Sequence, residues 1–176
     1  VLQIRDGINA ALAYDPNIVI LIEPKPNEPV DSAIIPTIGH AVGLSYITDD
    51  PSRVGVLCET AHSILAGLDP ADDMAWLVVG LRVEEGQAIF RWVTDQALLP
   101  SLRPDLAEVL RQHQAQGHQV VLVSGAFEEL LTCIGERLGV QHVVGTRLEV
   151  KRGRYAGRAV KPSCFGQDKV TLLTEY

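Results

Sequence analysis

The sequence predicts an α/β protein with mostly parallel strands: a partial (β/α) barrel segment, followed by a partial doubly wound segment that carries a helical remnant. Two observations predict it. Short, continuous apolar runs alternate with stretches at helical spacing, the pattern of βα units whose strands are covered on both faces. The chemistry-bearing residues also change character at a seam near Met74 to Leu77. Before the seam they are Glu, Lys and His at strand ends, and after it Ser, Gly and Lys. We therefore divide the chain into residues 1–76 and 77–176.

In the first segment, Ile4, Ile8, Ala11 and Leu12 give Leu2 to Ala13 a helical spacing, and Asp15-Pro16-Asn17 ends that helix. Ile18 to Ile22 reads as a strand, buried on both faces. A Pro-rich loop from Pro24 to Pro29 follows, then a helix from about Pro36 to Ile47. Asp50-Pro51-Ser52 makes a turn, and Val54 to Leu57 is a second strand, ending at Cys58-Glu59. A helix begins at His62 to Ala66 and breaks at Gly67-Leu68-Asp69-Pro70.

In the second segment, Val83 to Leu99 is amphipathic, with Ile89, Trp92, Val93, Ala97 and Leu98 set among Glu84, Glu85, Arg91 and Asp95. Leu106 to Gln116 is a helix entered through Arg103-Pro104-Asp105 and closed by Gly117. Val120 to Val123 is a buried strand that stops at Ser124-Gly125, and Glu128 to Leu138 is the helix after it. Val143 to Val150, a turn at Lys151 to Arg154, and Tyr155 to Val160 read as a hairpin. Gly166 to Tyr176 opens a last helix carrying Lys169.

Composition narrows the function classes. A net charge of −7 argues against nucleic acid or an anionic membrane as a general partner. No apolar run approaches the roughly 20 residues of a membrane span, and no signal peptide is visible. Cys58, Cys133 and Cys164 are odd in number, far apart and free of any Cys-x-x-Cys spacing. They read as reduced thiols of a cytoplasmic protein. The chain lacks an initiator Met and stops within a helical run, so both ends are expected to be cut; an oligomer is left open.

Both clusters of interest fall at strand ends. Glu23 and Glu59 sit at the tips of the first two strands, with Lys25 two residues after one and His62 three residues after the other. At the C-terminal end of barrel strands such side chains converge. Two carboxylates and an imidazole can share a divalent ion such as Mg2+, Mn2+ or Co2+. Surface Glu and His without an ion are the plain alternative.

The strings Glu23-Pro24-Lys25-Pro26-Asn27-Glu28-Pro29, Pro36-Thr37-x-Gly39-His40-Ala41, Glu59-x-x-His62 and Ala66-Gly67-Leu68 together resemble the xylose isomerase family of sugar isomerases, over roughly residues 1–75. The resemblance implies about two and a half of eight βα units of a TIM barrel. It implies that Glu23 and Glu59 are carboxylates of a structural metal, Glu59 bridging to a second ion, and that His62 is a ligand of that second, catalytic ion. Lys25 corresponds to the lysine that holds the sugar oxygen during the hydride shift. Glu28 corresponds to an acid beside the site, with no assigned chemistry. The family's catalytic His/Asp pair and further carboxylate ligands have no counterpart here, so weak metal binding and no isomerisation are expected.

In the second segment, a hydroxyl residue and a Gly between a strand and a helix N-terminus make an anion site, and Lys169 can balance the charge. A simple turn is again the plain alternative. Leu102-Arg103-Pro104, His113-Gln114-Ala115-Gln116-Gly117-His118, Val121-Leu122-Val123-Ser124-Gly125-Ala126, Arg137-Leu138-Gly139-Val140, Gly145-Thr146-x-Leu148-Glu149, Gly153-Arg154-Tyr155-x-Gly157 and Lys169 resemble the phosphoserine-phosphatase-like branch of the haloacid dehalogenase superfamily. The resemblance implies that Ser124 binds the transferring phosphoryl group, that Lys169 stabilises its charge, and that residues 77–100 are a remnant of the helical cap. In that branch an Asp-x-Asp motif supplies the nucleophile and acid/base. No two of the eleven Asp residues here are separated by a single residue.

Three readings result. The first is a truncated chimeric chain with a partial sugar isomerase site and a partial phosphomonoester phosphatase site, inactive as it stands. The second is a working enzyme of either kind completed by another chain, and the third a non-catalytic phosphate- or sugar-binding module. A small sugar or a phosphomonoester is the expected partner in all three.

Overall fold

A computed structural model describes residues 1–26 and 33–176. The Glu28 of the Pro-rich loop, with Asn27 and Pro29, lies outside the described residues. The chain separates into two compact units, Val1–Leu77 and Val78–Tyr176.

The first unit is one parallel strand pair with helices. Helix α1 spans Leu2–Tyr14, β1 Ile20–Ile22, α2 Ile38–Tyr46, β2 Val54–Val56, α3 Thr60–Leu65 and α4 Pro70–Met74. Strands β1 and β2 run parallel with Ile20 opposite Val54 and Ile22 opposite Val56, and α2 lies on the chain between them. Leu12, Ile22, Ala41, Leu44 and Val54 form the core, with Ile4, Ile8, Ile18, Ile20, Ile35 and Val56 packed against it. These residues share one face of the pair. The expectation of strands buried on both faces is corrected here: Leu21, on the opposite face beside Gly55, is 58% exposed. Side chains alternate along a strand, and this face of the pair is left open.

Three local signals hold the unit. Thr37 caps α2, its hydroxyl accepting from the His40 N–H. Arg53 reaches the carbonyls of Leu12 and Asp15 at 3.1 and 3.0 Å, satisfying the open C-terminus of α1. Asp73, only 3% exposed, accepts from the Ile38 N–H at 3.1 Å and from the Ser63 hydroxyl at 2.8 Å. One buried carboxylate on α4 thus ties the start of α2 to α3. Two boundaries differ from expectation: α3 begins at Thr60 rather than His62, and Asp69-Pro70 opens α4 instead of only ending a helix.

The second unit holds α5 (Val83–Val93), α6 (Pro104–Ala115), β3 (Val121–Phe127), α7 (Glu128–Leu138), β4 (His142–Thr146), β5 (Leu148–Lys151), β6 (Arg154–Ala159) and α8 (Asp168–Glu175). Strands β3 and β4 are parallel, and β5 and β6 antiparallel. Phe90 packs edge-on against Phe127 and Tyr155, at centroid distances of 6.4 and 6.3 Å. The segment before α5 joins the hairpin through Gly80 N–H to Tyr155 O (2.9 Å), Tyr155 N–H to Leu81 O (3.0 Å) and Val83 N–H to Gly153 O (3.1 Å).

Three expectations are corrected. The Val83 to Leu99 helix passes into a π-helical turn at Thr94–Leu98, where Asp95 takes a two-pronged ion pair from Arg137 of α7. The Val143 to Val150 strand is two strands, because the chain leaves β4 after Thr146 to pair with β6 instead. The strand before Ser124 continues to Phe127 through an irregularity. Among the described residues the strands form three two-stranded sheets, so a mixed α/β fold stands, without a closed barrel or a wide doubly wound sheet. No described helix is long and apolar enough to cross a membrane.

Replacing Asp73 with Ala strands a buried N–H and a buried hydroxyl. It should lower the stability of the first unit by about 2–3 kcal/mol in urea unfolding; a change under about 0.5 kcal/mol would show that Asp73 does not organise α2 and α3.

Candidate functional site

In the first unit, the parallel pairing sets Glu23, just past β1, beside Glu59, just past β2. Glu59 is also the residue that precedes α3, which places His62 within that helix's first turn. The Leu57 N–H bonds Ile22 O at 2.9 Å, extending the ladder right up to the two acids. Glu23, Glu59 and His62 each offer a ligand atom, all within 4.8 Å of one another. His62 Nδ1 stands 3.6 Å from Glu23 Oε1 and 3.8 Å from Glu59 Oε2, and Lys25 Nζ is 3.8 Å from Glu23 Oε1.

These distances are too long for hydrogen bonds. The His62 side chain is 17% exposed, and its Nδ1 is buried with no hydrogen-bond partner. A buried imidazole nitrogen facing two carboxylates without bonding either is a donor set that fits a cation. Two ligands each about 2.1 Å from one ion stand at most about 4.2 Å apart, so both spacings lie within reach of a shared ion. One imidazole with two carboxylates suits Mn2+ or Co2+, and Mg2+ less well. Next to Glu59 in the chain, the Cys58 thiol is pushed up by burial and then by the Asp73 charge.

In the second unit, Ser124 and Gly125 lie in the irregular part of β3. Val123 pairs with Val144 and Phe127 with Thr146, so four steps along β3 match two along β4 and the intervening residues bulge out. The Ser124 hydroxyl accepts from the Ala126 N–H at 3.2 Å, leaving its own proton to donate. Gly125 is exposed.

Two residues distant in sequence hold this bulge. Thr146, 1% exposed, donates to Gly125 O at 3.0 Å and accepts from the Cys164 N–H at 3.0 Å. A Cβ on Gly125 would meet Cys164 O at 3.3 Å, so the close approach of the two backbones favours glycine. Burial pushes the Cys164 thiol up; the Lys169 charge and the Ser124 N–H act on it in the opposite direction. Cys164 thus lies beside Gly125, and α8, which carries Lys169, packs on β3 and β4. The first turn of α7 carries Glu128 and Glu129. These acids offset the positive end of the helix dipole and oppose an anion at that terminus.

Glu129 was not foreseen. Its Oε2 and the Tyr155 hydroxyl are buried without hydrogen-bond partners. Burial pushes the Glu129 carboxyl above its ordinary range, with a smaller push from Glu128, against hydrogen bonds from its own and the Leu148 N–H. Burial, then the Glu129 charge, raises the Tyr155 phenol.

The profile of the haloacid dehalogenase-like hydrolase family matches residues 53–176. Curated relatives include a probable phosphatase of Mycobacterium tuberculosis (strain ATCC 25618 / H37Rv), 28% identical over 99 residues that cover 56% of this chain and 34% of that protein. Histidinol-phosphatase of Neisseria meningitidis serogroup C (strain 8013) is 24% identical over 94 residues, covering 53% and 42%. The chain thus spans less than half the length of either relative. A solved protein with unknown function from Bordetella pertussis Tohama I shares the fold, with a TM-score of 0.60 at 23% identity over 89% of this chain and 72% of that one.

A carboxyl raised by burial contributes stability that is present below its unfolded value, about 4.3, and lost as pH rises through the higher folded value. Glu129→Gln should therefore raise the melting temperature at pH 8 and leave it little changed at pH 4. Equal shifts at both pH values would show that Glu129 is not desolvated.

Proposed function

Because the chain belongs to the haloacid dehalogenase-like hydrolase family, we propose that Val78–Tyr176 is the phosphoryl-binding part of a phosphomonoester phosphatase of the phosphoserine-phosphatase-like branch. Ser124 and Gly125 contact the phosphoryl oxygens, and Lys169 balances their charge. The observation that carries this reading is the bulge of β3: it turns Ser124 and an exposed Gly125 out of the regular β3–β4 ladder, with Cys164 beside Gly125 and α8, which carries Lys169, packed on both strands. The relatives named as phosphatases support the substrate class. Residues 77–100 act as a remnant of the cap.

The proposed chemistry is limited to binding. The Ser124 hydroxyl donates to a phosphoryl oxygen, the Gly125 backbone approaches without a side chain in the way, and the Lys169 ammonium neutralises charge. With no Asp-x-Asp among its eleven Asp residues, this chain alone supplies no aspartyl nucleophile. Inorganic phosphate at a hundred times its Kd should stabilise the fold by about 2.7 kcal/mol. Ser124→Ala and Lys169→Ala should each remove most of that shift. An unchanged shift in both variants removes the site, and hydrolysis of p-nitrophenyl phosphate with Mg2+ above a protein-free blank would restore the complete-enzyme reading.

The orphaned His62 Nδ1 favours a second reading for the first unit. We propose that Glu23, Glu59 and His62 hold a divalent ion weakly and that Lys25 stands beside a sugar oxygen, as the resemblance to xylose isomerases implies. The ion would polarise substrate oxygens, while the ligands left after these three would be water. On this reading Met74 to Leu77 joins two unrelated signatures, although the family profile begins at Arg53, before that seam. Mn2+ should raise the melting temperature, and Glu59→Ala should abolish the rise. If the variant melts with the same Mn2+ shift, this metal site is wrong.

A further inference from the structure

Helix α6 ends on a feature that neither proposed site uses. The Gly117 N–H donates to Gln114 O at 3.0 Å and the His118 N–H to His113 O at 3.1 Å, with Gly117 left-handed at φ 74°. That pair of bonds is a Schellman motif, which brings together the side chains of the third-last helical residue and the second residue beyond the cap. The facing pair is usually apolar. Here it is two imidazoles, His113 and His118, both exposed. Their Nδ1 atoms stand 2.8 Å apart, with ring centroids 5.1 Å apart and planes tilted by 40°.

Two ring nitrogens at that distance need something between them: one shared proton, or one ion. Ligands about 2.0 Å from an ion and at right angles around it are roughly 2.8 Å apart, the spacing of neighbouring positions in a square-planar site. We infer that His113 and His118 form a surface site for a borderline divalent transition ion, with Cu2+ its tightest occupant. Imidazole donors select Cu2+, Ni2+ and Zn2+ over Mg2+ and Ca2+, and the order of affinities places Cu2+ highest. The two backbone bonds fix both Cα positions before any ion arrives, so binding orders only two short side chains. The ion displaces the shared proton, and water fills the remaining positions. It bridges the last turn of α6 to the segment that enters β3.

The test is a Cu2+ titration of the full chain carrying His62→Ala, which removes the imidazole of the Glu23–Glu59 cluster, followed by electron paramagnetic resonance. The expected result is one Cu2+ with hyperfine coupling to two imidazole nitrogens. Adding His113→Gln should abolish the two-nitrogen signal. His118→Gln, which lies outside the helix and leaves α6 intact, should do the same. An unchanged two-nitrogen signal in either variant overturns the site, as does coupling to a single nitrogen in the parent, which any lone surface histidine gives. The Mn2+ and phosphate shifts proposed above do not bear on this result, since neither uses His113 or His118.

Discussion

In a parallel pair both strands leave the sheet at the same end, and the chain must cross over to return. Each unit of this protein contains one such pair, and each candidate site lies where the two strands exit. In the first unit the register of Ile22 with Val56 leaves Glu23 and Glu59 as near neighbours just beyond the ladder. In the second, the register of Val123 with Val144 leaves Ser124 and Gly125 beside the end of β4, where Thr146 takes hold of Gly125 O. The helices follow from the same constraint. Helix α2 is part of the crossover in one pair and α7 in the other; α3 begins at the residue after Glu59, and α7 begins three residues after Gly125.

The two sites differ in how charge is managed. Glu23 and Glu59 bring two carboxylates to one buried imidazole nitrogen, with Lys25 at 3.8 Å from Glu23. Such an arrangement is poorly compensated by protein alone, which is why a divalent ion suits it. The bulge of β3 has the opposite problem. The positive end of α7 is already answered by Glu128 and Glu129, so an anion at Ser124 depends on hydrogen bonding and on Lys169. An anion there would lean on a single lysine, whereas an ion in the first unit would need three ligands acting together.

Much of this architecture was legible because it rests on local rules. The 3.6-residue spacing of Ile4, Ile8 and Leu12 marked α1, Pro104 and Gly117 marked the two ends of α6, and the short apolar runs marked β1 to β3. The acids at strand tips were legible as well, since a strand end followed by Glu and then Glu-x-x-His places ligands without tertiary information. What stayed hidden was set by partners distant in sequence. Nothing local to Asp73 marks its role, which depends on Ile38 and Ser63, 35 and 10 residues away. Thr146 was read inside a single strand, because nothing local says that the chain changes sheets after it. The exposure of Leu21 is hidden for a similar reason: an apolar run fits a strand covered on both faces, but cannot say that one face is left open.

Binding and chemistry are separable in this kind of site. Ser124 and Lys169 would touch phosphoryl oxygens that are present in substrate, in transition state and in free phosphate alike. Interactions made equally in the ground state and the transition state tighten binding without lowering the barrier. Acceleration would need a group that attacks phosphorus, and no Asp-x-Asp in this sequence provides one. A site limited to Ser124, Gly125 and Lys169 therefore holds product about as well as substrate. The same reasoning applies to the first unit, where the three candidate ligands would hold an ion without themselves moving a proton or a hydride. In both units the parallel pairing accounts for where the candidate binding residues stand, not for a reaction.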